Sequence, residues 1–421
     1  MQFKLESFFN PHLPPGSRRM DAVLTVTASG AAQSSARRAV AIVLDNSTSM
    51  EIDQKMEAAK HAARRCIDLL PAGTLFCVVT FGTQAHVIMP LCEANDANRG
   101  QAHHLVQRIT ANGATFMSYG LETVRREFAK APGAICYAYF LTDGQNNGDD
   151  TKPLERAINA CKGVYQCDCR GVGVDWAPAQ LRQISTALLG TADAVPKPEA
   201  LEADFKACLA RALAKGTGKV KLQIWRPASS RLVSLHQMNP EDIDILGLGQ
   251  QVDPRTWEVS LGAWGTEARD YHAVFEIEAG EIADEMLVCR PSIRWDGDGS
   301  EEKAAGQPVV ATWSNDADLT ARINPEVAHY TGQAELASSI KEGLEARDRG
   351  NFDEATKLLG KAAKIAAESG NEEVTRRLSK VVDLVDASEG TVRLKRDAGK
   401  AEALELEMGG TRTVRRAKQS P

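Results

Sequence analysis

Five oxygen-bearing side chains fall at three points along the chain, two of them where an apolar run ends and the third in a loop ahead of a helix. Asp45, Ser47 and Ser49 lie in LDNSTSM, Thr115 in GAT at 113–115, and Asp143 in LTDG at 141–144. Two carboxylates and three hydroxyls form an all-oxygen donor set, which suits a small, hard cation. Magnesium is the expected ion, with manganese or calcium as alternatives. Brought together, Asp45 and Asp143 would repel each other, and a divalent ion would relieve that repulsion while polarising an open coordination position. The competing reading makes Ser47 or Ser49 a cap that accepts N–H bonds ahead of a helix at 51–70. The five residues together favour the metal site.

Such a site needs a scaffold that carries three distant segments to one edge. Strands are predicted at 39–44, 74–81, 135–141, 165–172 and 192–195, with an edge strand at 85–89. Helices are predicted at 51–70, 100–110, 118–130, 153–162, 178–189 and 201–214. Alternation of this kind, with near-continuous apolar strands such as FCVVTF, argues for a doubly wound, mostly parallel α/β sheet covered on both faces. Ligands of open α/β sheets bind beyond the carboxyl ends of strands. Asp45 and Asp143 each close a predicted strand there, and Thr115 stands in the loop before the helix at 118.

LDNSTSM, GAT and LTDG, in this order, resemble the metal-ion-dependent adhesion site of von Willebrand factor type A domains, over about 39–214. Asp45, Ser47, Ser49, Thr115 and Asp143 match the five motif positions individually. The resemblance implies a Rossmann-like sheet with a divalent cation at its top and an open position that a partner's acidic side chain fills. Members that bind partners without metal also exist. The whole chain resembles bacterial, particularly actinobacterial, proteins with a type A domain, a β-rich domain and a helical C-terminal region. Some of those are linked to tellurium-resistance or stress gene sets.

Beyond 214 the texture changes. Alternating strands such as KVKLQIW, TWEVSLGAW and PVVATW point to a β-sandwich at 215–320. The strand AVLTVT within 1–38 would complete it, followed by a Ser/Gly/Ala linker, so that the type A domain is inserted in the sandwich. Residues 325–408 read as a helical domain with helices at 326–348, 352–369 and 371–388, and a charged helix at 392–408. Glycine-asparagine pairs at 350–351 and 370–371 mark the turns. One tetratricopeptide-like hairpin cannot build a superhelix, so a bundle is expected. Residues 409–421, with Arg412, Arg415, Arg416 and Lys418, read as a flexible basic tail.

Bulk properties narrow the function. The 421 residues carry a net charge of −6 with both signs mixed, which leaves no electrostatic footprint for nucleic acid. No apolar run reaches the roughly 18 residues of a membrane span, and MQFKLESFFNPHLPPGSRR lacks the pattern of a signal peptide. Cytoplasm is the expected location, and the nine cysteines are read as thiols. Cys167 and Cys169 would share one strand face as core residues rather than zinc ligands.

No catalytic constellation emerges. Two acids are fewer than magnesium hydrolases usually assemble, and Asp149 and Asp150 read as helix-capping or solvated. GxxxxGK[ST] is missing. GVGVD at 171–175 serves a tight passage, adjacent His103 and His104 point to different azimuths, and Cys66 and Cys77 lie in predicted core. The expected function is therefore non-enzymatic: a cation-dependent protein-binding module of an adaptor, whose partner presents Asp or Glu to the metal. Phe116, Met117 and Tyr119 are candidates for an apolar rim, with a core role for Met117 as the equal alternative. The runner-up is a scaffold with a purely structural metal, and a metal-assisted phosphohydrolase stands third.

Overall fold

Strand Arg38–Asp45 is buried along its whole length beyond the first residue, as an apolar run must be when helices cover both faces of its sheet. In the computed structural model, which describes residues 1–30, 37–296, 300–395 and 398–416, this strand is central in a six-stranded sheet. The spatial order is Ala85–Glu93, Leu75–Phe81, Arg38–Asp45, Ile135–Thr142, Gln166–Val172, Ala192–Val195. All neighbours are parallel except the hairpin of Leu75–Phe81 with Ala85–Glu93. The chain goes to one side of Arg38–Asp45 first and to the other side later. The carboxyl end of that strand is thus the topological switch point, where a crevice opens.

Helices Lys55–Leu69, Asp96–Gln107, Met117–Phe128, Thr151–Cys161, Pro178–Ala187 and Leu201–Leu213 complete this α/β unit, which comprises residues 32–218 and 262–265. One helix is pinned to the sheet by charge as well as by apolar packing. Arg170 on strand Gln166–Val172 is almost fully buried and donates to Asp204 at 2.9 Å, and Tyr139 donates to the same carboxylate at 2.8 Å. The helix expected at 51–70 begins only at Lys55. Residues Thr48–Gln54 form a tighter turn instead, ending in two left-handed residues, Asp53 and Gln54.

The second unit takes residues 1–31, 219–261 and 266–421. One of its sheets runs Gln2–Phe9, Arg19–Ser29, Ala268–Ile277, Ser230–Asn239, Ile243–Asp244. The other runs Gln250–Asp253, Thr256–Trp264, Thr217–Trp225, Glu285–Asp296, Val309–Trp313, His12–Leu13, and Glu301–Ala305 also pairs with Glu285–Asp296. AVLTVT lies inside Arg19–Ser29 and pairs antiparallel with Ala268–Ile277, with Ala22 opposite Ala273. Its other neighbour, Gln2–Phe9, is a strand outside those expected from the sequence. The Ser/Gly/Ala linker falls largely on 31–36, outside the described residues.

Helices Pro325–Asp348, Phe352–Glu368, Glu372–Val381 and Lys400–Gly409 pack around Leu336, Leu359, Leu378 and Leu406, all fully buried. Asn351 and Asn371 cap their helices by accepting from Glu354 N–H and Val374 N–H. Two helix expectations fail here. The helix at 371–388 stops at Val381, and Val382–Asp386 forms a strand paired with Thr391–Leu394. The charged helix at 392–408 is correspondingly reduced to Lys400–Gly409. The tail is not loose as far as 416. Arg412 pairs with Glu373, Arg415 with Asp270 at 2.8 Å, and Arg416 with Glu326 at 3.5 Å. Residues 417–421, including Lys418, lie outside the described residues.

Candidate metal centre

The edge at the switch point is stitched before any side chain acts on a ligand. Asn46 N–H donates to Phe81 O at 2.9 Å, and Asn112 N–H donates to Asn46 O at 2.6 Å. Thr48 N–H donates to Gly113 O at 3.0 Å, and Asn147 N–H donates to Thr115 O at 2.8 Å. The loops after Asp45, before helix Met117–Phe128 and after Asp143 are thereby joined through backbone.

All five expected residues arrive at this edge. Asp45 and Asp143 are fully buried, Ser47 and Thr115 nearly so, and Ser49 is half-buried. Asp45 Oδ1 accepts from Ser47 N–H at 2.8 Å, and its Oδ2 accepts from Thr142 Oγ1 at 2.5 Å. Asp143 Oδ1 accepts from Ser49 Oγ at 2.7 Å, and its Oδ2 accepts from Lys55 Nζ at 2.8 Å. The hydroxyls of Ser47 and Ser49 are 3.1 Å apart. Thr115 joins them at Gly144, where an added Cβ would sit 3.1 Å from Thr115 Oγ1 and 3.7 Å from Ser49 Oγ. A glycine keeps that cradle open.

Electrostatics make the cluster receptive to a cation. Burial pushes the Asp45 carboxyl up to about 6, with the Asp143 charge adding to the rise, while hydrogen bonds from Thr142 and Ser47 hold it back. Among the described residues no three His, Cys, Asp or Glu side chains gather as a metal-holding group. The donors here are instead two acids supplemented by three hydroxyls, which fits a hard, oxygen-seeking ion and no soft one.

Neighbouring candidates resolve differently. Asp150 caps helix Met117–Phe128, accepting from Ser118 N–H at 2.9 Å and from Ser118 Oγ, and Asn146 Oδ1 accepts from Met117 N–H at 2.9 Å. Asp149 lies outside this cap; its N–H donates to Asn147 Oδ1 at 3.0 Å. Met117 is core, whereas Phe116 stacks on Tyr119 with ring centroids 5.6 Å apart, and Tyr119 is 44% exposed. His103 faces Asp68 at 3.0 Å while His104 is exposed. Cys167 and Cys169 share a buried strand face with sulfurs 3.9 Å apart. Burial raises the Cys66 and Cys77 thiols above the ordinary range. Thr142, Gly144 and Lys55 were missed as site residues; the first two stand inside the quoted LTDG motif, and Lys55 opens the next helix.

A von Willebrand factor type A from Catenulispora acidiphila is 37% identical, with 98% of this chain and 97% of that chain covered and a TM-score of 0.90. The chain belongs to the von Willebrand factor type A family. The profile of the von Willebrand factor type A domain matches residues 40–145, and that of the von Willebrand factor type A C-terminal domain matches 364–410. The fold is shared with the ArnB paralog VWA2 from Sulfolobus acidocaldarius at 14% identity and TM-score 0.62, over 97% of both chains. The human COPII-coat protein Sec24c is similar in fold at 10% identity and TM-score 0.53, over 90% of this chain and 58% of that one. No curated protein matches. Type A domains are protein-interaction modules, often metal-dependent. Among the described residues no helix is long and apolar enough to cross a membrane.

Proposed function

We propose that this type A domain is a divalent-cation-dependent protein-binding module, serving an adaptor, and that a partner's Asp or Glu completes the metal shell. One observation carries the reading: hydroxyls from two separate loops and two buried carboxylates meet around the open cradle at Gly144. Ser47, Ser49, Thr115, Asp45 and Asp143 would hold the ion, magnesium by preference. The ion would supply a Lewis-acidic position for a carboxylate. The chain's own contribution is preorganisation: each of the four carboxylate oxygens already has a donor. The exposed Tyr119 and its stacking partner Phe116, which follow Thr115 in the chain, would form an apolar rim for the residue next to that acid. Nine free thiols suit a reducing compartment such as the cytoplasm.

The test is a magnesium titration of the full chain and of Asp143→Ala by calorimetry. It is followed by capture of partners with both baits in magnesium and in EDTA. A partner retained only by the wild type with magnesium supports the reading. Partners identical in all four samples would move binding away from this edge and leave the metal a structural role.

A further inference from the structure

Lys55 is an unexpected residue to find here. It is the first residue of helix Lys55–Leu69, where the helix dipole disfavours a cation. The turn that delivers it ends in left-handed Asp53 and Gln54, a conformation that non-glycine residues rarely adopt. Yet its ammonium is buried and 2.8 Å from Asp143 Oδ2, with side chains 5% and 0% exposed. Room for it comes from the GVGVD loop: a Cβ on Gly173 would stand 3.2 Å from Lys55 Cε and 3.4 Å from Nζ. Three separate features therefore converge on placing one positive charge against one site carboxylate.

From this geometry we infer that Lys55 is the resident cation of the centre. It holds Asp143 in position when metal is absent and sets the charge that a bound divalent ion presents to a partner. The inference rests on the metal reading above. Two carboxylates and one ammonium leave a single net negative charge. A divalent ion makes the site singly positive, so that it attracts an incoming carboxylate. Without Lys55 the loaded site would be neutral. The same ammonium opposes the metal, which keeps affinity for magnesium alone low and makes metal and acidic partner bind best together.

The experiment uses the full chain with two readouts. In EDTA, thermal unfolding of wild type, Lys55→Met, Asp143→Asn and the double variant forms a cycle that needs no metal. Lys55→Met is expected to melt earlier than wild type, and adding Asp143→Asn is expected to recover much of that loss. In the second readout, magnesium is titrated calorimetrically into wild type, Lys55→Met and Lys55→Arg. Lys55→Met is expected to bind on the order of tenfold tighter or more, and Lys55→Arg to stay near wild type. Independent effects in the EDTA cycle would overturn the resident-cation role. Unchanged or weaker magnesium binding by Lys55→Met would overturn the opposition to metal. Should no variant bind magnesium while the EDTA cycle shows coupling, the metal reading fails and Lys55 stands as the permanent occupant of the site.

Discussion

Thr142 Oγ1 donates to Asp45 Oδ2 at 2.5 Å, joining the ends of two adjacent parallel strands through side chains where the backbone ladder stops. Both residues are fully buried. Thr142→Val conserves shape but leaves a buried carboxylate oxygen without its donor, at a cost of about 1–3 kcal/mol. Urea unfolding in EDTA is the measurement.

Gly144 is the floor of the cradle. Gly144→Ala pushes a methyl group to 3.1 Å from Thr115 Oγ1 and 3.7 Å from Ser49 Oγ, so a hydroxyl must move. Magnesium affinity is expected to fall roughly tenfold or more, about 1.4 kcal/mol or above, with the circular dichroism spectrum unchanged.

Asp150 fixes the start of helix Met117–Phe128 through Ser118. Asp150→Ala removes the acceptor for Ser118 N–H and Oγ at the start of helix Met117–Phe128. Loss of such a cap costs about 0.5–2 kcal/mol. Hydrogen exchange should show faster opening in the turn around Thr115 while strand Arg38–Asp45 keeps its protection.

In the sandwich unit, Asp242 Oδ1 lies 2.7 Å from His236 Nδ1, and this bond lifts His236 above its ordinary value. The bond's contribution is complete below the unfolded histidine value and is lost as pH rises through the raised folded one. With the side chain 35% exposed, solvent screening limits it to a few tenths up to about 1 kcal/mol. The stability difference between wild type and His236→Gln should therefore be larger at about pH 5.5 than at about pH 8.5.

Arg415 clamps Asp270, a buried carboxylate that also accepts from Thr25 at 2.5 Å and Tyr330 at 2.6 Å. Arg415→Ala leaves those two donors in place, and Arg415 is itself 40% exposed. A loss of about 1 kcal/mol is expected. Chemical denaturation of the variant measures it, and an unchanged midpoint would restore the loose-tail reading.

The sheet, and the meeting of five oxygen-bearing side chains at its edge, were legible because each rests on a local pattern. Apolar strands end abruptly, and Asp45, Ser47 and Ser49 follow one another at fixed spacing. Much of what escaped depends on partners far away in the chain. Gln2–Phe9 alternates, but its inward series includes Ser7, which is buried while donating to Gln307 O at 2.8 Å, so the apolar period alone is short. Arg415 reads as a solvated charge until Asp270 is placed beside it. Lys55 is visible in the sequence, yet a search for cation ligands discards cations. Val381–Val382 carries the β-branched signal of a strand, and the helical period before it masked the change.

Insertion of the α/β unit within the sandwich has a consequence for biosynthesis. Strand Arg19–Ser29 pairs with Gln2–Phe9 on one side and with Ala268–Ile277 on the other. The first partner precedes it from the ribosome, whereas the second emerges only after the entire inserted domain has been made. At about 5–20 residues per second, that edge waits roughly 10–50 s for its neighbour. An unpaired strand edge invites association with other chains. The nascent protein's period of greatest risk is thus set largely by the length of the inserted α/β domain, and early release of the chain would leave the sandwich unable to close.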